Sequence, residues 1–266
     1  MRPSTFAAAL LLGLAAATLP EPSNAQDFRG TLLDRDWFPA PPYAFEGSRY
    51  YTVEFLTSSA AIRALVPPPL AVGADSTVAM SFIRHRVVEP DPMEYLEAYL
   101  GVPVSYRGRV GTYMPVLALD RFDAIFTGRE VWGFNKLEAD FDFQETPDGA
   151  RILVAHGDIP LMQATFVLGG EMDPPAPQPR YVFNVKRLPG MAAGDPPAFR
   201  QLTGLLSEIH VSRLRPAEAT LVLGSVPYMP LDRIPILKVV RATFTEISFT
   251  LGENGEVLES TAVTGR

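Results

Sequence analysis

Short apolar segments separated by turn residues, with no helix of crossover length between them, set the strongest limit on how this chain folds. Thr77 to Val88, Met93 to Val104 and Thr112 to Leu119 each have the composition of a β-strand, and the apolar run Phe122 to Thr127 continues the series. Strands that follow each other without a long connecting helix pair antiparallel, because a parallel pair needs a crossover. The region therefore predicts antiparallel sheet rather than βαβ units.

Further strands are expected in the second half of the chain. Thr146-Pro147-Asp148-Gly149 predicts a hairpin turn, since Asp-Gly admits the positive φ values of tight turns. A surface loop is predicted over Met172 to Arg180. Strands are predicted at Leu161 to Leu168, Tyr181 to Arg187, Leu205 to Leu214, Ala219 to Leu223 and Ile236 to Leu251. Hydrophobic residues make up 47% of the sequence, which is ample for a core, and no shift of composition marks a second domain. We predict a single β-rich α+β domain whose mainly antiparallel strands form a barrel or sandwich.

The first 25 residues have the pattern of a secretory signal peptide. Arg2 supplies a positive start, Phe6 to Leu19 supply an apolar stretch, and Ser23-Asn24-Ala25 supplies small residues for cleavage before Gln26. The apolar stretch is shorter than the roughly 20 residues of a membrane-spanning helix. We therefore expect an exported domain over residues 26–266, periplasmic or secreted, with no membrane span in the mature protein.

Composition excludes several function classes. The sequence has no cysteine, which excludes disulfides, zinc-thiolate sites and cysteine nucleophiles. The three histidines lie far apart, and their spacing indicates no metal site. A net charge of -7 argues against nucleic acid and anionic membrane surfaces as partners. The sequence predicts neither a metal nor an organic cofactor.

Lys136 is the centre of the candidate chemistry. It is one of three lysines in the chain, and it follows the aromatic run Val131-Trp132-Gly133-Phe134 and a turn at Asn135. Loss of hydration in such surroundings penalises the ammonium more than the neutral amine, and a neutral amine attacks carbonyl carbon. Two other interpretations stay open: a lysine whose aliphatic part covers apolar surface while its ammonium stays in water, and a structural ion pair with Glu130 or Glu97.

Several separated motifs, in order along almost the whole mature chain, resemble the acetoacetate decarboxylase family. They are Pro41-Pro42-Tyr43 with Phe45, Val66-Pro67 with Pro69-Leu70, Tyr95-x-Glu97, Gly101-Val102-Pro103-Val104, Gly111-x-Tyr113, Gly128-Arg129-Glu130 with Gly133-Phe134-x-Lys136, Met229-Pro230-Leu231 and Ile234-Pro235-Ile236. The resemblance implies the β-rich fold of that family and a homo-oligomer.

The resemblance also implies a reaction. In the family, the lysine after the Gly-Arg-Glu triplet forms a Schiff base with a keto acid, and Lys136 occupies its place. Glu97 matches a glutamate near that lysine and is the candidate proton shuttle. The implied activity is that of a carbon-carbon lyase, by decarboxylation of a β-keto acid or by aldol and dehydration chemistry.

The remaining site predictions concern substrate contacts. Trp132, Phe134 and Tyr113 are expected to form an apolar pocket. Arg49 is the guanidinium nearest the family's substrate-binding arginine and is predicted to bind a carboxylate. Glu130 is expected to support the site from behind, with an Arg129–Glu130 ion pair bracing the loop.

The sequence also departs from the family pattern. Where the family has proline and two adjacent lysines, this chain has Asn135-Lys136-Leu137, so the second cation is missing. A further family glutamate has no acidic counterpart in Val78 to Ile83, where Ser81 falls nearest. These departures support an alternative function, an exported non-catalytic protein that binds a small ligand on the same fold.

Overall fold

The computed structural model describes residues 39–73 and 75–262, so the predicted signal peptide lies outside the described residues. The two α-helices are α1 (Ser59–Leu65) and α2 (Phe122–Thr127); a π-helical turn (Gly128–Trp132) continues α2, and a 3-10 turn spans Leu231–Arg233. The strands are β1 (Tyr43–Leu56), β2 (Ala71–Val72), β3 (Thr77–Glu89), β4 (Met93–Tyr106), β5 (Arg109–Leu119), β6 (Lys136–Glu138), β7 (Asp140–Thr146), β8 (Gly149–His156), β9 (Ile159–Leu168), β10 (Gln178–Leu188), β11 (Phe199–Leu223), β12 (Ser225–Val226), β13 (Met229–Pro230), β14 (Lys238–Leu251) and β15 (Asn254–Ala262).

Seven of these strands close into a ring. Antiparallel pairing links β5, β4, β3, β1, β14 and β11 in that order. Strand β10 completes the ring, because it pairs antiparallel with β11 and parallel with β5. The strands β9, β8 and β7 extend the sheet outward from the far end of β11. This architecture confirms the predicted β-rich domain of mainly antiparallel strands and, of the predicted barrel or sandwich, it is the barrel.

Two element predictions were wrong. Phe122 to Thr127, expected as a strand, is the helix α2, because a six-residue apolar run does not distinguish a strand from a buried helix by periodicity. The two strands expected between Leu205 and Leu223 are parts of one 25-residue strand, β11, which continues through Pro216. Its length lets it join the barrel at one end and the outer sheet at the other.

Buried side chains form two clusters. The larger one includes the fully buried Phe55, Phe82 and Phe183 and extends towards the outer sheet. The smaller one includes Tyr50 and Phe134 and surrounds a cavity inside the ring. No helix in the described part of the chain is long and apolar enough to cross a membrane.

Candidate active site

A tight reversal of the chain places Lys136 at the barrel wall. Gly133 ends the π-helical turn with φ 82°, a left-handed conformation that glycine adopts without steric cost. Its N–H donates to Arg129 O, and the Phe134 N–H donates to Gly128 O, so the chain folds back beside the turn. Lys136 then begins β6, which pairs parallel with β5 opposite Leu117.

Gly128 gives the Lys136 side chain its room. A Cβ atom at Gly128 would lie 2.6 Å from both Cδ and Cε of Lys136 and 3.0 Å from Nζ. Glycine is therefore required here by a close approach of a side chain, since the backbone itself is ordinary right-handed helix. The Lys136 side chain is only 9% exposed, and its Nζ donates to Ala124 O at 3.3 Å.

Glu97 faces Lys136 from β4. Its Oε2 lies 3.3 Å from Lys136 Nζ, and its side chain is 8% exposed. Tyr95 and Tyr99 share its face of the strand, because alternate residues of a strand point the same way. Lys136 Nζ lies 5.6 Å from the ring centroids of Tyr95 and Phe134, which is cation–π range.

His85 and Ser48 continue the polar chain behind Glu97. His85 Nε2 lies 3.7 Å from Glu97 Oε1, and His85 Nδ1 lies 3.4 Å from Ser48 Oγ. Ser48 Oγ already accepts a hydrogen bond from the Arg86 backbone N–H, which leaves its own proton free to donate to Nδ1. This arrangement favours the imidazole tautomer whose Nε2–H points at Glu97.

The electrostatics keep Glu97 ionised and His85 neutral at pH 7. Burial by itself raises the pKa of Glu97, but the Lys136 ammonium and the His85 N–H outweigh burial and lower that pKa to about 2. Burial lowers the pKa of His85, and the Glu97 carboxylate offsets only part of this effect. Burial, followed by the charge of Glu97, raises the pKa of Tyr95 well above its usual value, so it stays a neutral phenol.

A cavity of about 70 Å³ opens in front of these groups. All seven strands of the ring contribute to its wall, and β6 contributes Lys136. Most of the wall is apolar, with Phe45, Met114 and Phe249 among its residues. Since one water needs about 10–15 Å³ measured this way, the space suits about five waters or one small organic ligand.

Three predicted substrate contacts lie outside this cavity. Arg49 points away from it, with Nη2 3.1 Å from Glu145 Oε2. The Tyr113 hydroxyl accepts a hydrogen bond from the Asn135 side chain at 2.9 Å and so supports the turn before Lys136. Trp132 packs edge-on against Tyr43. Of the four predicted contacts only Phe134 lines the cavity, and the other three lie away from it.

Glu130 and Arg129 support the loop in a different way from that predicted. Arg129 Nη1 donates to Lys136 O at 3.0 Å, which fixes the backbone of the candidate nucleophile. The carbonyl of Glu130 accepts a hydrogen bond from Lys186 Nζ. Neither residue pairs with the other among the described contacts, and Lys136 pairs with Glu97 rather than with Glu130.

Sequence reasoning missed several polar residues around the cavity, and four of them bear most directly on its charge and hydrogen bonding. They are Ser48, Tyr50, His85 and Arg180. The alternation Tyr95-x-Glu97-x-Tyr99 on β4 was a signal for the two tyrosines of that strand, but no local pattern marked these four residues. Among the residues described, no three His, Asp or Glu side chains form a group that could hold a metal ion.

Comparison with known proteins places this site in a family context. The family model described as acetoacetate decarboxylase matches residues 34–260. The chain is 30% identical to the acetoacetate decarboxylase of Acidiphilium cryptum over 257 residues, which cover 91% of this chain and 97% of that protein. It is also 30% identical to the acetoacetate decarboxylase of Streptomyces nogalater, covering 84% of this chain and 91% of that one.

A solved structure gives the same result for the fold. The acetoacetate decarboxylase of Legionella pneumophila superposes with a TM-score of 0.72 at 24% identity, covering 96% of this chain and 99% of that one. The family match spans the whole described barrel, including the strands that hold Lys136 and Glu97. The chain belongs to the acetoacetate decarboxylase family.

Proposed function

We propose that the protein is a lyase that forms a Schiff base between Lys136 and a small keto acid. Family membership supports decarboxylase-like lyase activity in general. The observation that supports the lysine chemistry is the pair formed by Lys136 Nζ and Glu97 Oε2, 3.3 Å apart in the wall of a mostly apolar cavity. The family relationship does not favour the non-catalytic alternative.

Imine formation needs proton movements that Glu97 is placed to make. Glu97 takes a proton from the Lys136 ammonium, and the free amine attacks the substrate ketone to give a carbinolamine. Glu97 then returns the proton to the departing hydroxyl, so water leaves and a protonated imine remains beside the carboxylate. The net change is the loss of one water, with the positive charge kept on nitrogen.

The protonated imine is an electron sink for breaking a carbon-carbon bond. When a β-keto acid is bound, the bond to its carboxylate breaks, carbon dioxide leaves and the electron pair forms an enamine. Protonation of the enamine carbon and hydrolysis of the imine release the ketone and restore Lys136. The mostly apolar wall lowers the local polarity and so strengthens the electrostatic interactions among these groups.

Borohydride trapping tests this proposal. The protein is incubated with acetoacetate or pyruvate and reduced, and the added mass is mapped by peptide mass spectrometry. We expect the adduct on Lys136, with Lys186 and Lys238 as internal controls in the same molecule. Lys136→Ala is expected to abolish turnover without unfolding, whereas exposed Lys238→Ala keeps it. Full turnover by a folded Lys136→Ala variant would refute the lysine mechanism.

We also propose that the chain is exported after removal of residues 1–25 and that it forms a homo-oligomer. The support for export is the N-terminal sequence pattern, and the support for oligomerisation is family resemblance. N-terminal sequencing of secreted or periplasmic protein is expected to begin at Gln26. Light scattering of the mature protein is expected to give a mass above that of one chain.

A further inference from the structure

Arg180 is the second cation of the cavity wall, and its surroundings differ from those of Lys136. It lies on β10, which pairs with β5, the strand that also pairs with β4 of Glu97 and β6 of Lys136, and it is partly buried. Its guanidinium lies 5.5 Å from the Tyr99 ring centroid, and Nη2 donates to the Tyr99 hydroxyl at 2.8 Å. The proposed chemistry at Lys136 assigns no role to Arg180 or to Tyr99.

Arg180 has no ion-pair partner among the described residues. No carboxylate oxygen of the described residues lies within 4.0 Å of an Arg180 nitrogen, whereas ten other pairs of oppositely charged groups do meet within that distance. The Lys136 ammonium, by contrast, is balanced by Glu97. With His85 neutral, the wall has one positive charge in excess, and an uncompensated cation in a cavity of low polarity is unfavourable.

Two phenols beside Arg180 add donors without acceptors. The Tyr99 hydroxyl accepts from Arg180, and its own proton has no acceptor among the described residues. Tyr50 lines the same cavity, is 4% exposed and makes no side-chain hydrogen bond in the described part of the chain. The three groups therefore offer several N–H and O–H donors and one unpaired positive charge to whatever occupies the cavity.

We infer that Arg180, with the Tyr99 and Tyr50 hydroxyls, forms the site that binds the carboxylate of the substrate. A carboxylate accepts hydrogen bonds only, is planar like a guanidinium and supplies the missing negative charge. The inference rests on the proposed function and deepens it, because it assigns the carboxylate of the keto acid to Arg180 and the ketone to Lys136. It also replaces Arg49, whose guanidinium is occupied by Glu145 outside the cavity.

The size of the cavity limits the substrate class. A volume of about 70 Å³ suits a short unbranched or once-branched keto acid. Bound between Lys136 and Arg180, such a molecule leaves the wall electrically balanced: one ion pair at the lysine and one at the arginine. Specificity for an anion then depends on a residue of β10 rather than of β1.

The test separates anion binding from imine chemistry. Isobutyrate is a small carboxylate that has no ketone, and isobutyramide is its uncharged analogue of nearly the same shape. We expect the protein to bind isobutyrate at least about tenfold more tightly than isobutyramide in ligand-observed NMR titrations. Arg180→Gln is expected to abolish this preference, and Tyr99→Phe to reduce it. Arg187→Gln, an exposed arginine of the same strand, is the matched control and keeps the preference.

Thermal unfolding distinguishes a loss of anion binding from a general loss of stability in the Arg180 variants. Because Arg180 is unpaired, Arg180→Gln is expected to keep or raise the Tm without ligand and to lose the Tm increase that isobutyrate gives the unmodified protein. Arg180→Lys, which keeps the charge but not the planar fork, is expected to bind with an intermediate preference. A folded Arg180→Gln variant that still prefers isobutyrate overturns the inference, as does equal binding of the two probes by the unmodified protein. Absence of a Lys136 adduct with pyruvate, with the isobutyrate preference intact, refutes the imine mechanism alone.

Discussion

Replacement of Gly128 by alanine is expected to impair catalysis while leaving the fold intact. The new methyl carbon would lie 2.6 Å from Cδ and Cε of Lys136, whereas carbon atoms prefer separations of about 3.5 Å or more. The lysine side chain must therefore move by about 1 Å. Its Nζ now lies 3.3 Å from both Glu97 Oε2 and Ala124 O, so a shift of that size breaks or badly weakens both contacts.

The magnitude follows from this displacement. A misplacement of about 1 Å in a catalytic group costs on the order of 100-fold in rate. Stability changes little, because residue 128 has right-handed helical dihedrals that alanine adopts readily, with a propensity gain over glycine of about 0.5–1 kcal/mol. That gain offsets part of the weakened Lys136–Glu97 pair. We therefore expect a roughly 100-fold slower reaction and a Tm within a few degrees of the unmodified protein.

The assay is the rate of Lys136 labelling by borohydride at saturating keto acid, with the Tm measured in parallel. Gly170→Ala is the matched control, since a Cβ atom at Gly170 meets nothing within 4 Å. It is expected to label at the normal rate. Normal labelling by Gly128→Ala would show that the position of the lysine side chain is not limiting, and a large fall in Tm would show that the backbone rather than the lysine had moved.

Three further predictions test the loop before Lys136, the charges of His85 and Glu97, and the role of Arg49. Gly133→Ala is expected to destabilise by about 3 kcal/mol or more, because φ is 82° and a Cβ atom would lie 2.6 Å from the backbone of β10; Gly157→Ala, with positive φ but open space, is expected to lose only the strain of about 1–2 kcal/mol in the same urea titration. The free energy of unfolding is expected to fall as pH drops below about 6.5, because the unfolded chain protonates His85 there and the folded chain does not. It is expected to fall again between about pH 4.5 and 2, where the lowered pKa of Glu97 contributes on the order of 3 kcal/mol. Glu97→Gln is expected to remove this second fall, and a variant that keeps it refutes the assignment of the fall to Glu97. Arg49→Gln is expected to leave keto-acid affinity within about twofold in equilibrium titrations, since surface ion pairs contribute little, and a tenfold loss would restore Arg49 to the substrate site.

The barrel could be predicted from the sequence because its strands are separated by turn residues and alternate in polarity. Such signals mark strand positions without knowledge of their partners; the turn at 146–149, for example, joins β7 to β8 in the outer sheet. The closing pair was not predictable. β10 meets β5 over two residue pairs in parallel, and no local pattern indicates such a contact between distant segments. The length of β11 was also hidden, because Pro216 suggested an end where the strand continues.

The site residues that lie in family motifs were predictable from the sequence. Those whose role depends on which face of a strand the side chain occupies were not. Lys136 and Glu97 lie in motifs, and the structure brings them together. Arg49 is the only guanidinium near the place that the family motif indicates, but neighbouring residues of a strand point to opposite faces. Ser48 is fully buried and faces His85, which turns Arg49 to the outer face, where Glu145 neutralises it.

The same reasoning explains why a binding arginine can move between strands without loss of the site. A closed barrel presents inward positions from every strand of the ring, so a guanidinium from any of them can reach the same small cavity. Arg180 comes from the end of a proline-rich segment, Met172 to Arg180, whose composition predicted a loop and therefore gave no face to its residues. To bind an anionic ligand selectively, the cavity needs an unpaired cation that faces it. Arg180 meets that requirement on β10, whereas Arg49 on β1 does not.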